Sequence, residues 1–541
     1  MTTDYPSPAR KAPSAGKQME LEKFLLMESA GNRGRQEMFR LGSAVLFLVG
    51  VILYVAMRGG QVSYSLVVAS MIGAYMALNI GANDVANNVG PAVGSKALTM
   101  GGAIAIAAIF EAAGALIAGG DVVGTIKSGI ISQSAVANND VFVWLMTAAL
   151  LAGALWLNIA TASGAPVSTT HSIVGGVLGA GIAAGGWGVA NWSQMGSIAA
   201  SWVISPLLGG LIAAGFLYLI KRTITYKSDM LAAARNVVPI LLAVMAWAFV
   251  TYLILKGLNH VWKVGFGAAA GIGLLFAAAT YAFSRARIGI VSPRLENSKA
   301  GVNALFTMPL IFSAALLSFA HGANDVANAV GPLAAINEAV IKGAVSAKAS
   351  IPLWVMMVGA VGISLGLALY GPKLIKTVGS GITDLDQMRA FCIAMAAAIT
   401  VIVASQLGLP VSSTHIAVGG VFGVGFLREF IKAHYGRMID IIEEHHQGAD
   451  REIVEDYLER FRAADFEGKG AMLAELKANK QAAADSHLSK SERKTLKNIY
   501  RKELVKRSAL TRIIAAWLIT VPVSAAMAAL LYFMIRGMML P

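Results

Sequence analysis

Long apolar segments follow one another along most of this chain, separated by short polar stretches and by one long polar stretch at 428–511. A helix needs about 20 apolar residues to cross a bilayer, so the pattern predicts thirteen membrane crossings and no sheet. Segment 416–427 is too short for a full span and is typical of one arm of a re-entrant hairpin. The segments lie at 41–57, 62–81, 99–119, 141–160, 173–190, 195–220, 237–255, 262–284, 302–320, 351–371, 388–407, 416–427 and 512–536.

Composition supports a membrane protein. Hydrophobic residues make up 56% of the 541 residues and charged residues 14%, whereas soluble domains carry about 25% charged residues. The net charge of +14 does not require nucleic acid as a partner, because the basic residues lie in loops. The single cysteine, Cys392, excludes an intrachain disulfide.

The basic loops also predict an orientation. With the N-terminus in the cytoplasm, the loops 221–236, 285–301 and 428–511 all fall inside, and they hold most of the loop lysine and arginine residues. The C-terminus then lies outside. We expect an integral protein of the cell (inner) membrane.

Two strings recur in the same order in each half of the chain. GANDVANNVGP at 81–91 returns as GANDVANAVGP at 322–332, with ten of eleven positions identical. PVSTTHSIVGGVLGAG from Pro166 returns as PVSSTHIAVGGVFGVG from Pro410. By crossing number, the segments before the two GAND copies run in opposite directions, which is typical of inverted-repeat secondary transporters with a midplane site. We therefore expect an all-α polytopic membrane protein with inverted repeats, broken helices and re-entrant hairpins.

The predicted organisation has seven parts. They are a cytoplasmic tail at 1–40, an extra membrane helix at 41–57, a first transport repeat at 62–220, connecting helices at 237–284, a second repeat at 302–427, a charged helical cytoplasmic insertion at 428–511, and a membrane helix at 512–536 that completes the transport domain.

The GANDVAN strings place carboxylates where lipid would be costly. Asp84 and Asp325 end apolar segments inside Gly/Asn-rich breaks, so each should face a cavity, a partner or an ion. Unwound backbone carbonyls, carboxylates and amide oxygens together suit a hard cation. Simple helix capping is the structural alternative. The predicted cation-binding or coupling residues are Asn83, Asp84, Asn87, Asn324, Asp325 and Asn328.

The PVS strings predict helix starts that carry hydroxyl groups. A helix N-terminus offers free N–H groups and the positive end of the helix dipole, which together favour an anion. Hydroxyls both donate and accept, as a partly protonated phosphate requires. Ordinary capping and Ser/Thr packing are the alternative. The predicted anion contacts are Ser168, Thr169, Thr170, Ser412, Ser413 and Thr414.

Other polar residues are weaker signals. Glu111 lies in the middle of an apolar span and is either functional, through coupling, or paired. His171 and His415 close the hydroxyl motifs, where orienting the turn is the favoured role and proton binding the alternative. His321 precedes only one GAND copy and ranks lower. Lys96 could reach the anion, but extension to the cytoplasmic interface is the favoured interpretation.

These motif pairs resemble the inorganic phosphate transporter (PiT) family, over about residues 60–430 and the last span. The resemblance implies symport of inorganic phosphate with sodium or protons. It implies phosphate between the two hairpin tips and cations near Asp84 and Asp325, which would be sodium ligands if sodium is the coupling ion. The family often carries an intramembrane glutamate in both halves, but Glu111 has no clear counterpart around Val361.

The predicted function is secondary active import of inorganic phosphate, coupled to sodium or protons, by alternating access. A sulfate permease on the same scaffold stays open. So does a membrane receptor or scaffold acting through 428–511; a channel fits less well. No nucleotide-binding, metal-cluster or nucleophile motif is visible, so we expect no enzyme activity and no cofactor beyond the co-transported cation. The expected partners are phosphate and membrane lipid, and a homodimer is left open.

Overall fold

The fold comes from a computed structural model of the 541-residue chain. It describes residues 15–58, 63–132, 136–163, 167–256, 264–343, 351–381, 385–432, 449–464, 466–478 and 507–539, with a few further positions between these ranges. Within this part of the chain the regular elements are helices, and strand-like pairing is limited to one bridge between Ile131 and Ala190. The predicted all-α class is confirmed.

The helices of the first half are α1 Ala15–Met57, α2 Tyr64–Asn83, α3 Ala86–Gly94, α4 Met100–Ala118, α5 Gly120–Gly124, α6 Asn139–Ser163, α7 Thr169–Gly185, α8 Trp192–Ile220, α9 Met230–Lys256 and α10 Phe266–Val291. Those of the second half are α11 Lys299–Leu305, α12 Thr307–Asp325, α13 Ala327–Lys342, α14 Leu353–Gly381, α15 Gln387–Gln406, α16 Ser413–Lys432, α17 Ala449–Ala463, α18 Phe466–Ala478 and α19 Arg507–Met539.

Eleven helical stretches of the described chain are long and apolar enough to cross a membrane, so the protein is an integral membrane protein. The sequence pattern predicted thirteen crossings. The two predicted crossings that are not among these eleven stretches follow the PVS strings. They are α7, with 17 residues, and α16. For 416–427 this agrees with the expected re-entrant arm, whereas 173–190 was counted as a full crossing.

Helices α6 and α7 form a hairpin that enters and leaves at the same level. The loop before α6 is bonded to the loop after α7: Asn191 N donates to Ile130 O at 2.9 Å, and Ser132 N donates to Val189 O at 3.1 Å. The connection between the two helices is only residues 164–168, of which 164–166 lie outside the described residues. The pair therefore contributes either two crossings or none.

The helix breaks at the GAND strings are shorter than the sequence suggested. Between α2 and α3 the helix is interrupted only at 84–85, and between α12 and α13 only at Val326. The carbonyl of Asp84 already accepts a hydrogen bond from Asn87 N at 3.0 Å. The helices are thus interrupted at both GAND strings, over one or two residues.

Glycines let the two halves pack closely across each other. Helix α2 packs on α14, and α12 packs on α4. At each contact a glycine meets the facing backbone so closely that a Cβ would overlap a carbonyl oxygen, as GxxxG-type membrane packing requires. These glycines are Gly81 and Gly366 in the first pair, and Gly114 and Gly322 in the second.

The hairpin arms also pack closely against neighbouring helices at glycines. Helix α7 packs on α19 through Gly175 and Gly179, while α16 packs on α8 through Gly419 and Gly423. Each glycine pair is spaced four residues apart, on one helix face. The last membrane helix thus packs against the hairpin of the first half.

The N-terminal helix and the insertion at 428–511 are the remaining parts of the predicted organisation. Helix α1 runs unbroken from Ala15, so the proposed boundary at 40/41 is not a helix boundary. The insertion has helices α17 and α18 and a small apolar core of its own, which includes Val454, Leu458 and Phe461. Much of 433–506 lies outside the described residues.

Candidate functional site

The two hydroxyl-rich tips meet inside the protein. The hydroxyl of Thr170 donates a 2.9 Å hydrogen bond to the carbonyl oxygen of Val411, in the other tip. The rings of His171 and His415 pack edge to face with centroids 4.4 Å apart. Because the tips come from different halves of the chain, this polar centre exists only in the folded whole.

Two indoles enclose the histidine pair. His171 lies against Trp202 with ring centroids 3.9 Å apart, and His415 stacks on Trp517 at 3.6 Å. Both histidines are at least 95% buried. This ring packing holds the two tips against helices α8 and α19.

The first asparagine of each GAND string binds a hairpin tip. Asn83 Oδ1 accepts from Val167 N at 3.2 Å, and Asn324 Oδ1 accepts from Val411 N at the same distance. Each amide nitrogen donates, at 2.9 Å, to a hydroxyl at the end of the helix before the tip. These oxygens were predicted cation ligands, but here they orient the loop that carries the hydroxyls.

The two aspartates share one threonine. Thr169 Oγ1 donates to Asp84 Oδ2 at 2.6 Å and lies 3.3 Å from Asp325 Oδ2. Thr414 Oγ1 donates to Asp84 Oδ1 at 3.0 Å. Both carboxylates are about 1% exposed. The structure thus brings the predicted acidic pair together at the tips.

The second asparagine of each GAND string reaches across to the opposite tip. Asn87 Nδ2 donates to Thr414 Oγ1 at 2.8 Å. Asn328 Nδ2 donates to Thr169 Oγ1 at 3.1 Å and to Thr170 Oγ1 at 3.3 Å. The buried Oδ1 of Asn328 has no hydrogen-bond partner among the described residues, so it is an available oxygen ligand.

The serines divide into caps and one available hydroxyl. Ser168 Oγ accepts from His171 N at 3.1 Å, and Ser412 Oγ accepts from His415 N at 3.3 Å. Both are therefore N-caps, and the capping alternative describes them. Ser413 Oγ is buried and has no hydrogen-bond partner in the described part of the chain.

His321 is the residue that the sequence reasoning ranked too low. Its Nδ1 lies 2.9 and 2.8 Å from the two carboxylate oxygens of Glu111, and its Nε2 lies 2.9 Å from Asp325 Oδ2. Asn88 Nδ2 donates to Glu111 Oε1 at 2.7 Å. The available signal was an intramembrane histidine four residues before an aspartate on one helix, where side chains share a face.

The Glu111–His321 pair, at the contact between α4 and α12, is not repeated at the equivalent contact between α14 and α2. The backbone of Glu111 meets the glycine that follows His321, and the backbone of Ile363 meets the glycine that follows Ile80 in the other copy. The equivalent of the Glu111–His321 pair is therefore a pair of isoleucines, both fully buried. The residue at the position equivalent to Glu111 is thus Ile363, an apolar side chain.

The electrostatics of this centre favour additional positive charge, either a bound cation or protons. Three buried carboxylates, those of Asp84, Glu111 and Asp325, face one imidazole, and no lysine or arginine pairs with them within the described ranges. An unpaired charge buried in a low-dielectric interior costs many kcal/mol. Asp84, His321 and Asp325 each offer one ligand atom, all within 4.8 Å of one another.

The comparison with known families decides where this chain belongs. Residues 80–528 match the model of the phosphate transporter family. The chain belongs to the phosphate transporter family. The match spans both GAND strings and both PVS tips, and the family resemblance expected from the motifs is confirmed.

Relatives cover most of the chain. A protein of Helicobacter pylori (strain J99) named "Putative phosphate permease" is 53% identical over 523 residues, which is 95% of this chain and 98% of that protein. A protein of the same name from Thermococcus kodakarensis is 36% identical and covers 67% of this chain and 89% of its own length. The solved structure titled "The sodium-dependent phosphate transporter" superposes with a TM-score of 0.72 at 31% identity, covering 88% of this chain and all of that one. The fold is that of a transporter.

Proposed function

We propose that this protein imports inorganic phosphate as a secondary active symporter, coupled to a cation by alternating access. The observation that carries the proposal is the meeting of two hydroxyl-bearing helix starts, one from each half, beside the buried carboxylates of Asp84 and Asp325. Family membership and the names of the relatives support phosphate as the substrate.

The tips have the chemistry that a phosphate needs. Helices α7 and α16 begin there, at Thr169 and Ser413, so their first backbone N–H groups and dipoles favour an anion. Phosphate would exchange with the threonine–carboxylate contacts seen here. We propose phosphate contact with Thr169, Thr170, Ser413 and Thr414, with Ser168 and Ser412 acting through the caps that hold the two helix starts.

The carboxylates make a cation obligatory. An anion placed beside Asp84 and Asp325 would be repelled unless positive charge is bound first, which couples the two ligands. Sodium is favoured over protons because the similar solved structure is titled sodium-dependent. In this proposal Asp84, Asp325, Asn87 and Asn328 hold the cation, Asn83 and Asn324 position the tips, and Glu111 tunes the site through His321.

An inverted arrangement of the repeats is part of the proposal. The α6–α7 hairpin counts as two crossings or as none, and either count leaves α2 and α12 running in opposite directions. Helix pairs also match across the halves, with α2 on α14 as α12 is on α4. Such repeats let one bundle rock against the other around a fixed central site. The orientation stays as the basic loops predict, with the N-terminus in the cytoplasm of the cell.

The test is radiolabelled phosphate uptake into proteoliposomes, with sodium and proton gradients imposed separately. We expect a sodium gradient to drive uptake, and sulfate in excess to leave it unchanged. Asp325→Asn should abolish the cation dependence. Asp456→Asn is the matched control, because that aspartate lies 66% exposed on the insertion. Cation dependence that survives Asp325→Asn would refute the assignment.

The same assay decides between the rival functions. A sulfate permease predicts that sulfate competes with phosphate and is itself taken up. A receptor acting through the insertion predicts that Asp84→Asn leaves function intact. The symporter predicts the opposite for Asp84→Asn, namely loss of uptake with normal folding.

A further inference from the structure

The structure assigns a binding site for the headgroup of an anionic phospholipid to a cleft between helices α9 and α10, at the membrane surface that the basic loops predict to be cytoplasmic. The cleft has a volume of about 290 Å³ and is lined by Ala232, Arg235 and Asn236 of α9 and by Arg285 of α10. None of these residues belongs to the central site, so the inference goes beyond the proposed function and does not depend on it.

The polar wall of the cleft has the donors that a phosphate group requires. Tyr281 orients the guanidinium of Arg285, because Nη1 of the arginine donates to the tyrosine hydroxyl at 2.7 Å. Arg235 and Asn236 are exposed, and neither arginine forms an ion pair with a described carboxylate. A planar guanidinium can donate two parallel hydrogen bonds to phosphate oxygens. The two arginines and the amide can therefore hold one phosphate group from both helices.

The charge of the surrounding loops also favours an anion. The segments 221–236 and 285–301 hold eight lysine or arginine residues and two acidic residues, a formal net charge of +6. One of the two acidic residues, Asp229, caps α9 by accepting from Ala232 N at 2.9 Å. Basic residues beside the cytoplasmic leaflet attract its anionic lipids. A zwitterionic lipid would gain less, because its ammonium group would lie beside the two arginines.

An apolar face of α9 continues from the cleft toward the middle of the membrane. After Asn236, helical spacing places on this face three apolar side chains that are 52%, 56% and 39% exposed, those of Ile240, Val244 and Trp247. The run from 236 to 247 spans about 16 Å along the helix, which is about half of a hydrocarbon core of roughly 30 Å. An acyl chain of one leaflet can therefore lie along this face while its headgroup occupies the cleft.

Helix α10 borders the same apolar face. Trp247 Nε1 donates to Ala270 O at 3.0 Å, which joins the two helices at the end of the face remote from the cleft. Leu274, which is 63% exposed, lies three helical turns from Arg285 and thus on the same side of α10. In the described chain α10 packs mainly on α9, and 17% of its apolar membrane window is buried, so lipid contacts this helix. This contact with the bilayer favours a lipid headgroup over a free phosphate ion as the occupant.

The experiment is native mass spectrometry of the detergent-purified, full-length protein, titrated with phosphatidylglycerol or with phosphatidylcholine of identical acyl chains. We expect phosphatidylglycerol to bind about tenfold more tightly than phosphatidylcholine, because two arginines act on its net charge. Arg235→Gln and Arg285→Gln should each weaken phosphatidylglycerol binding about fivefold, the effect of one basic residue at an anionic lipid surface. Arg287→Gln is the matched control, because that arginine is exposed on the same helix but does not line the cleft.

Further arms of the experiment separate the possible occupants. Glycerol 1-phosphate, which has the phosphate but no acyl chains, should not displace phosphatidylglycerol when added in excess. All three arginines are exposed, so the variants should elute from a sizing column as the unmodified protein does. Equal binding of the two lipids, equal weakening by Arg287→Gln, or full displacement by glycerol 1-phosphate would overturn the inference. A dimer that binds no phosphatidylglycerol and that Arg235→Gln dissociates would also overturn it, because a second copy of the chain would then cover the cleft.

Discussion

Two ion pairs of equal length in this protein should differ several-fold in their contribution to stability. Lys127 Nζ lies 2.5 Å from Glu338 Oε2 with the two side chains 3% and 7% exposed. Lys256 Nζ lies 2.5 Å from Asp121 Oδ2, but those side chains are 29% and 44% exposed. Burial is the variable that separates them, since solvent screens the second pair and scarcely reaches the first.

The perturbation is Lys127→Met. It leaves the Glu338 carboxylate buried, with the Lys342 ammonium 3.5 Å away and 62% exposed. Breaking a buried pair costs about 3–5 kcal/mol, and the remaining partner should keep the loss near the lower figure, about 3 kcal/mol. Lys256→Met removes an exposed pair and should cost about 1 kcal/mol or less.

The assay is thermal unfolding of the detergent-purified variants at one fixed scan rate, read as the midpoint of loss of monodisperse protein. The double variant Lys127→Met/Glu338→Leu removes both charges and should recover most of the lost stability, since an apolar pair of similar volume often replaces a buried ion pair at little cost. The reasoning is refuted if Lys127→Met lowers the midpoint no more than Lys256→Met does. It is equally refuted if the double variant is as unstable as Lys127→Met.

Three further outcomes are expected from the site and its packing. Ser412→Ala should cost about 1 kcal/mol of stability, as the loss of an N-cap does. Ser413→Ala should instead weaken phosphate affinity in uptake assays without lowering the unfolding midpoint. Equal unfolding midpoints for the two variants would contradict the assignment of Ser412 as a cap and Ser413 as a phosphate contact. Gly322→Ala forces a Cβ into a facing carbonyl oxygen and should reduce the yield of folded protein, while Gly101→Ala, which meets nothing within 4 Å, should leave it unchanged; similar yields would disprove the close-packing argument. Asn324→Ala should raise the KM for phosphate more than it lowers the maximal rate, because the residue positions a tip; an unaltered KM would exclude that role.

Much of the architecture was determined by the sequence alone. The apolar segments are long enough that only membrane-spanning helices can satisfy their backbone groups in lipid. The repeated GAND and PVS strings predicted a centre made from both halves, because a carboxylate and a row of hydroxyls are too costly to place against lipid. These signals are local, so they can be identified in the sequence without knowing which helices are in contact.

Tertiary packing decided the roles of the individual residues. Ser168 and Ser412 are caps, and Asn83 and Asn324 hold the tips, because their side-chain oxygens accept hydrogen bonds from backbone N–H groups that the folded tips present. His321 entered the centre because helix α4 brings Glu111 against helix α12. The repeat strings are nearly identical, but the side chains that surround them are not. Glu111 and His321 at one helix contact are therefore replaced by Ile363 and Ile80 at the equivalent contact, an asymmetry that depends on which helices pack together rather than on the pattern of either string.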